Sequence, residues 1–282
     1  MPRFSLSAKI SKSVLLQYDL MQNRIDTTFA KLRDESRKGF MAYITGGDPT
    51  LKRTIEIALA LEDAGVSFLE IGIPFSDPLA DGIANQLGAQ RALSAGTNVR
   101  KLLNSVAAIR QRSEMALILY SYLNPLFQYG LARFEQDAAS AGVDGLLLLD
   151  LPPDEPPLAT ETWMHRIRLV APTTSESRIA RIVSLASGFI YYVSREGVTG
   201  ERSDLSQGIN EQVARIRKHT DLPVAVGFGI STPDQVRAVA QVADAVVVGS
   251  AIVRRIGEIG DSETLAKQIG DFVRPLVSAV ES

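Results

Sequence analysis

The sequence predicts an α/β fold, namely a TIM (β/α)8 barrel with an extra N-terminal helix that closes its bottom. One observation is a recurring unit, in which a short β-branched or leucine-rich run is followed by a turn and a longer amphipathic stretch. A second is that eight such units can be counted. A third is that the apolar runs are nearly continuous, which is typical of parallel strands covered by helices. A doubly wound open sheet is the competing fold, but no GxGxxG motif follows a strand.

The pattern places both kinds of element along the chain. The candidate strands are Phe40–Thr45, Ser67–Gly72, Ala116–Tyr120, Gly145–Asp150, Ile167–Ala171, Gly188–Ser194, Pro223–Gly227 and Ala243–Gly249. Helices expected after them include Leu51–Ala64, Arg133–Ala141, Ser175–Ala186, Pro233–Val242 and Ser262–Val280. A further helix over about Arg24–Arg37 is expected to plug the bottom of the barrel.

Composition bounds the function. The 282 residues are 45% hydrophobic with a net charge of -2, and no basic block suggests a nucleic-acid partner. No apolar run approaches the roughly 20 residues of a membrane span, and we expect a cytoplasmic protein.

Residues 24–282 are expected to form one catalytic domain. Residues 1–23 are basic and serine-rich, and we expect a disordered extension or a mis-set start, with an organellar import signal as the alternative.

In this fold the chemistry lies at the C-terminal ends of the strands. There, Glu70 is a carboxylate inside an apolar strand, which is expensive to bury without a purpose or a partner. It is a candidate acid or base, or else it pairs with a buried arginine. Asp81 follows in a proline-containing segment with a stiff backbone, where it faces Glu70 across the mouth or serves as a turn residue.

Three glycine-bearing turns near the C-terminus stand between strand ends and helix starts. They are Gly197–Gly200, Gly227–Gly229 and Gly249 with Ser250. Glycine lets the backbone approach a ligand, and the N–H groups of a helix N-terminus favour an anion such as phosphate. The loops after strands 7 and 8 often form such a site in barrels. The set therefore predicts a phosphate pocket, although each turn alone has a purely structural reading.

Two kinds of chemistry are disfavoured. No lysine lies at the C-terminal end of a strand, which argues against a Schiff-base aldolase. His165 and His219 precede strands and cysteine is absent, so we expect no metal site. The remaining chemistry is metal-free acid–base catalysis on a phosphorylated substrate, carried out by carboxylates and in part by a tyrosine.

The segment LEIGIPFSDPLADG, from Leu69 to Gly82, resembles the signature of the tryptophan synthase alpha chain family. Further agreement lies in TGGDP from Thr45, YSYLNP from Tyr120, DLPP from Asp150 and VAPTT from Val170. The matches extend to YYVSREGVTG, which begins at Tyr191, and to GFGIS, which begins at Gly227. The resemblance covers roughly residue 26 to the C-terminus.

The resemblance implies a lyase that splits indole-3-glycerol phosphate into indole and glyceraldehyde 3-phosphate by a retro-aldol course. It implies that Glu70 protonates C3 of the indole ring, that Asp81 contacts the ring N–H and that Tyr191 assists. The implied slot for the ring is lined by Tyr43, Tyr122, Leu147 and Leu149. The implied phosphate pocket consists of Gly200, Gly229, Gly249 and Ser250. Thr199, in a predicted mobile lid over Arg195–Gln207, would meet Asp81 on closure.

The resemblance also implies a partner, a beta subunit in an α2β2 heterotetramer, docked near Asp77 and Pro78. Pyridoxal phosphate is expected only in that beta subunit, and no cofactor in this chain. Two departures from the family pattern stand out. Where the family usually reads P-x-I-Q after Gly82, this chain has Ile83, Ala84 and Asn85 before Gln86, which we expect to loosen the loop. The stretch between Asp150 and Val170 is shorter than usual.

Two other functions stay open on the residues alone. Another phosphate-binding barrel enzyme, such as an isomerase or synthase of the same pathway, shares the glycine turns. A non-catalytic barrel that only activates a beta subunit would share the whole fold. The presence of both Glu70 and Asp81 argues against the second, and the absence of a strand-end lysine argues against an indole-3-glycerol phosphate synthase.

Overall fold

Eight parallel strands close into a barrel in the computed structural model, which describes residues 23–153, 155, 163–194, 202–227 and 229–281. Each strand pairs with the next in chain order, and β1 pairs with β8 to close the ring. The strands are β1 Gly39–Thr45, β2 Phe68–Gly72, β3 Ala116–Ser121, β4 Gly145–Leu148, β5 His165–Val170, β6 Ile190–Val193, β7 Val224–Gly227 and β8 Ala245–Val248.

Helices precede β1 and follow most of the strands. Those of the described residues are α1 Arg24–Asp34, α2 Leu51–Asp63, α3 Ile83–Ser94, α4 Val99–Arg110, α5 Leu123–Tyr129, α6 Leu131–Ser140, α7 Glu176–Val183, α8 Arg202–Arg217, α9 Pro233–Ala240, α10 Ser250–Ile259 and α11 Leu265–Ser278. None of these helices is long and apolar enough to cross a bilayer.

The core has two layers because alternate residues of each strand face opposite sides of the sheet. Outward-facing residues such as Leu69 and Ile71 pack under the helices in the larger cluster. Inward-facing residues such as Phe68, Ile118 and Phe189 fill the lower half of the barrel. The upper half is lined by polar and aromatic side chains, so the two halves of one interior differ in chemistry.

Helix α1 plugs the bottom of the barrel, as the sequence predicts. The Asn23 side chain caps its first turn by accepting from the Ile25 N–H. Phe29 then packs against Phe68 and Phe189, with ring centroids 4.5 and 5.8 Å apart. Asn23 therefore belongs to the folded domain, one residue earlier than the predicted boundary.

Asp144 connects this plug to the barrel wall. Its buried carboxylate accepts from the Leu117 N–H and from Arg110, both at 2.8 Å, and lies 3.3 Å from Arg24 of α1. Its carbonyl accepts from the Asn23 amide at 2.9 Å. One buried acid therefore joins β3, α1, α4 and the start of β4.

The predicted barrel and its eight strands are confirmed, with small shifts at strand ends. β5 begins at His165, two residues before the predicted start. The prediction missed His165 and Arg166 because they are polar and do not extend the apolar run. Their N–H groups nevertheless donate to the Asp144 carbonyl and the Ser187 hydroxyl. β8 begins at Ala245, two residues later than predicted.

The predicted lid over Arg195–Gln207 is wrong in its second half. Helix α8 already begins at Arg202, and residues 195–201 lie outside the described part of the chain. Leu205, Ile209, Val213 and Ile216 recur at helical spacing in the sequence, and the last three are buried. The prediction missed this helical spacing because most of the residues between them are polar. The shortened stretch after β4 falls largely on residues 154 and 156–162, which also lie outside the described part.

We predict that Asp144→Asn lowers the free energy of unfolding by about 3 kcal/mol, because it leaves the partly buried Arg110 and Arg24 without their shared carboxylate. Glu114→Gln is the matched control. It removes another carboxylate from Arg24, but Glu114 is 81% exposed and should contribute less than about 1 kcal/mol. Urea unfolding of both variants measures the difference, and equal effects would contradict the role given to Asp144.

Candidate active site

Tyrosines and two carboxylates line the upper half of the barrel, at the C-terminal ends of the strands. In register, Glu70 of β2 lies between Tyr43 of β1 and Ile118 of β3. Two glycines make room for tyrosine hydroxyls. A Cβ at Gly72 would lie 2.2 Å from the Tyr43 hydroxyl, and one at Gly227 would lie 2.6 Å from that of Tyr191. Larger residues there would displace the rings from the site.

Glu70 is 1% exposed, and its Oε1 has no hydrogen-bond partner in the described structure. Burial, and secondly the negative charge of Asp81, raise the pKa of Glu70 to about 8. The alternative that Glu70 pairs with a buried arginine is not what the structure shows, because no ion pair to Glu70 occurs within the described residues. The carboxyl group is therefore protonated at neutral pH, and its Oε1 is not engaged by another described residue.

Asp81 has the opposite environment, since it is surrounded by hydrogen-bond donors. The hydroxyls of Tyr120 and Tyr122 donate to its two carboxylate oxygens at 3.0 and 2.9 Å, and the Asn85 amide donates at 3.3 Å. Burial raises the pKa of Asp81, and these three hydrogen bonds act against that rise. The structure thus brings the two predicted carboxylates to one barrel mouth in contrasting surroundings.

The loop between β2 and α3 holds Asp81 at this position. The Asp81 N–H donates to the Pro78 carbonyl at 3.0 Å, and the Ala80 N–H donates to the Tyr122 hydroxyl at 2.9 Å. Gln86 donates to the Asp81 carbonyl at 2.8 Å. The loosening expected from the unusual Ile83–Asn85 segment is therefore not observed, because Asn85 and Gln86 both bind back to Asp81.

Two of the four residues predicted to form the ring slot, Tyr43 and Tyr122, lie in aromatic contacts. The Tyr43 and Tyr120 rings meet edge to face, with centroids 5.0 Å apart. Tyr122 packs against Phe75 at 5.4 Å. Leu147 is fully buried and in register with Tyr120, which places it at the floor of the site. Leu149 follows β4 and is half-buried, with its N–H donated to the Ser121 carbonyl.

Tyr191 points into the barrel from β6 and is half-buried. Burial, and then the charge of Glu70, raise the pKa of Tyr191 well above 10. The Tyr191 hydroxyl thus keeps its proton at ordinary pH and is able to donate a hydrogen bond.

The glycines predicted to hold phosphate lie at strand-to-helix turns, where described. Gly229 has φ +70° after β7, a conformation that favours glycine. Gly249 precedes α10, whose first residue is Ser250 and whose N-terminus has no side-chain cap. A Cβ at Gly249 would lie 3.1 Å from that of Tyr43. Gly200 and Thr199 lie outside the described residues, so their predicted roles stay predictions.

Two residues of the site were not singled out from the sequence, namely Tyr120 and Asn85. Strand alternation was the available signal for Tyr120, because it lies two residues after the inward-facing Ile118. Asn85 had no comparable signal, since its contact depends on how α3 approaches the loop. Among the described residues, no group of three or more His, Asp or Glu side chains could hold a metal ion.

Comparison with known proteins identifies the family. The model of the tryptophan synthase alpha chain matches residues 29–280. A tryptophan synthase alpha chain from Geotalea uraniireducens is 47% identical over 264 residues, which span 92% of this chain and 98% of that relative. One from Geobacter sulfurreducens is 45% identical over 262 residues, 92% of this chain and 99% of the relative.

Solved structures agree with this assignment. The crystal structure of tryptophan synthase subunit alpha from Legionella pneumophila has a TM-score of 0.83 at 36% identity, covering 92% of this chain and 99% of that chain. A tryptophan synthase structure from M. tuberculosis has a TM-score of 0.82 at 31% identity, covering 92% of this chain and 100% of that chain. The sequence, the barrel and these comparisons agree, and the chain belongs to the tryptophan synthase alpha chain family.

Proposed function

We propose that Glu70 and Asp81 carry out the reaction of this family, the cleavage of indole-3-glycerol phosphate to indole and glyceraldehyde 3-phosphate. The observation that carries the proposal is the contrast between the two carboxylates. Glu70 is buried without a hydrogen-bond partner on Oε1, whereas Asp81 receives three hydrogen bonds. Contrasting environments of this kind give two carboxylates of one site different roles.

Glu70 is the proton donor. With a pKa of about 8 its carboxyl group carries a proton at neutral pH, and the free Oε1 is not committed to another group. Transfer of that proton to C3 of the indole ring converts the ring into an indoleninium cation. The bond between C3 and the side-chain carbon can then break, because its electron pair returns to the ring and neutralises the cation.

The second half of the reaction restores the enzyme. As the carbon–carbon bond breaks, the hydroxyl on that same side-chain carbon loses its proton, and the carbon becomes the aldehyde carbon of glyceraldehyde 3-phosphate. Glu70, now a carboxylate, is a base next to this hydroxyl and takes that proton. One proton is therefore given and one received, and no oxidant, reductant or metal is needed for the balance.

Asp81 stabilises the cation. A carboxylate that accepts a hydrogen bond from the ring N–H lowers the energy of the positive charge that develops on protonation of C3. The fixed loop conformation supports this role, because a preorganised acceptor needs no rearrangement during the reaction. Tyr191, which keeps its proton, donates a hydrogen bond to Glu70 or to the substrate hydroxyl beside it.

The phosphate is placed by the glycine turns. The uncapped N-terminus of α10, with Gly249 and Ser250, offers N–H groups and a hydroxyl to an anion, and Gly229 lies in the adjacent loop. Gly200 completes the predicted pocket, and Thr199 is predicted to meet Asp81 when the substrate is bound. The ring slot of Tyr43, Tyr122, Leu147 and Leu149 then directs C3 toward Glu70.

A beta subunit is the proposed partner, in an α2β2 heterotetramer. Near Asp77 and Pro78, the apolar Leu79 and Ile83 are 93% and 76% exposed, as expected for a surface that another protein covers. We place pyridoxal phosphate in that beta subunit and propose that this chain needs no cofactor. We also propose that the chain works in the cytoplasm.

We predict that Glu70→Gln reduces the release of indole from indole-3-glycerol phosphate by at least about 100-fold, because the amide cannot supply the proton. The assay measures indole from purified protein with and without a beta subunit. Stimulation of the beta reaction by the variant is the control for folding and docking. Unchanged indole release would contradict the assignment of Glu70. No release by the unaltered, folded protein under either condition would leave an activating role only.

We predict that kcat/KM falls above pH 8. The pKa of Glu70 is raised to about 8 in the folded protein, so the protonated acid exists below that pH and is lost as pH rises through it. Well above pH 8, kcat/KM should fall about tenfold per pH unit. Binding of a phosphate-bearing analogue without the reacting hydroxyl is the control, since it needs no proton transfer. A flat profile well beyond pH 8 would contradict the mechanism.

A further inference from the structure

We propose that Tyr120 and Asn85 are positioning residues that fix the Asp81 carboxylate through its Oδ1 and leave its Oδ2 as the acceptor for the indole N–H. This inference rests on the proposed function, because it gives Asp81 the ring N–H as its ligand. It adds two residues and one specific carboxylate oxygen to the mechanism.

The geometry distinguishes the two oxygens of Asp81. Tyr120 donates to Oδ1 at 3.0 Å and Asn85 donates to the same Oδ1 at 3.3 Å, whereas Tyr122 is the one donor to Oδ2 among the described residues, at 2.9 Å. An ionised carboxylate has about four acceptor positions, two on each oxygen. Oδ1 is therefore fully occupied, and the remaining position is on Oδ2. The indole N–H has one place to bind.

The Tyr120 hydroxyl acts only as a hydrogen-bond donor to Asp81, because it does not lose its proton. Burial, then the charge of Asp81, raise the pKa of Tyr120 far above 10, so its hydroxyl keeps its proton throughout any assay range. Its ring is fixed edge to face against Tyr43, at 5.0 Å and an interplanar angle of 72°. The hydroxyl is thus aimed at Oδ1 by ring packing as well as by the hydrogen bond itself.

The amide of Asn85 has its orientation dictated by Asp81. A carboxylate cannot donate, so Nδ2 faces it and Oδ1 of Asn85 points away, where it is buried without a hydrogen-bond partner in the described structure. An unpaired buried oxygen is unfavourable for stability. An apolar residue at position 85 would not bury an unpaired oxygen. The hydrogen bond to Asp81 explains why an asparagine is found there instead.

These donors also act on the protonation of Asp81, because each hydrogen bond favours its charged form. Burial alone would raise the pKa of both acids and draw a proton to each. The donors around Asp81 favour its charged form, and that charge in turn raises the pKa of Glu70. Removal of a donor from Asp81 should therefore raise the pKa of Asp81.

The test is to titrate Asp81 in Tyr120→Phe and Asn85→Leu by carbon-13 NMR of the aspartate carboxyls, without substrate, using Asp81→Asn to assign the signal. We expect the pKa of Asp81 to rise by about half a unit or more in each variant. The matched control is Tyr129→Phe, which removes a tyrosine hydroxyl from Asp137 on the surface and should leave the pKa of Asp81 unchanged.

Kinetics complete the test. Each variant should lose about tenfold in kcat, with the acid limb of kcat/KM displaced to higher pH and thermal unfolding nearly unchanged. The inference is overturned if both variants keep the pKa of Asp81 and the acid limb of kcat/KM unchanged. If Tyr120→Phe does not fold, Asn85→Leu alone decides the outcome. If Asp81→Asn keeps full activity, the proposed function fails instead, so the two failures are distinguishable.

Discussion

The removal of Glu70 from water is the constraint on which the rest of the site depends. A closed barrel of eight parallel strands must fill its interior with side chains, and the lower half is filled by apolar residues and by Phe29 of the N-terminal helix. Glu70 lies directly above this packed layer, on the inner face of β2. Its carboxyl group is consequently neutral near pH 7, and a neutral carboxylic acid is what protonation of an indole ring requires.

Asp81 lies at the same barrel mouth but has different neighbours. Tyrosines from β3 and its C-terminal end, together with Asn85 from α3, donate to its carboxylate, so the loop that carries it is held from two sides. The charge on Asp81 raises the pKa of Glu70, while the donors favour the charge on Asp81. The two carboxylates are therefore coupled, and the donors to Asp81 act on both of them.

Much of this arrangement could be predicted from the sequence, because it follows from local patterns. Apolar runs predicted all eight strands, a carboxylate inside an apolar strand singled out Glu70, and a stiff, proline-containing segment indicated that Asp81 is held in place. What could not be predicted depends on contacts between distant elements. Asn85 reaches Asp81 only through the path of α3, and the start of α8 at Arg202 was concealed by polar residues that also suit a loop.

A direct titration of the Glu70 carboxyl group tests the central claim of this account. Carbon-13 NMR of the glutamate carboxyls in the folded, substrate-free protein, with Glu70→Gln to identify the signal, reports its protonation without reference to activity. The account predicts a midpoint near pH 8. A midpoint near the ordinary glutamate value of about 4.3 would contradict it, because Glu70 would then be ionised at neutral pH and could not serve as the proton donor.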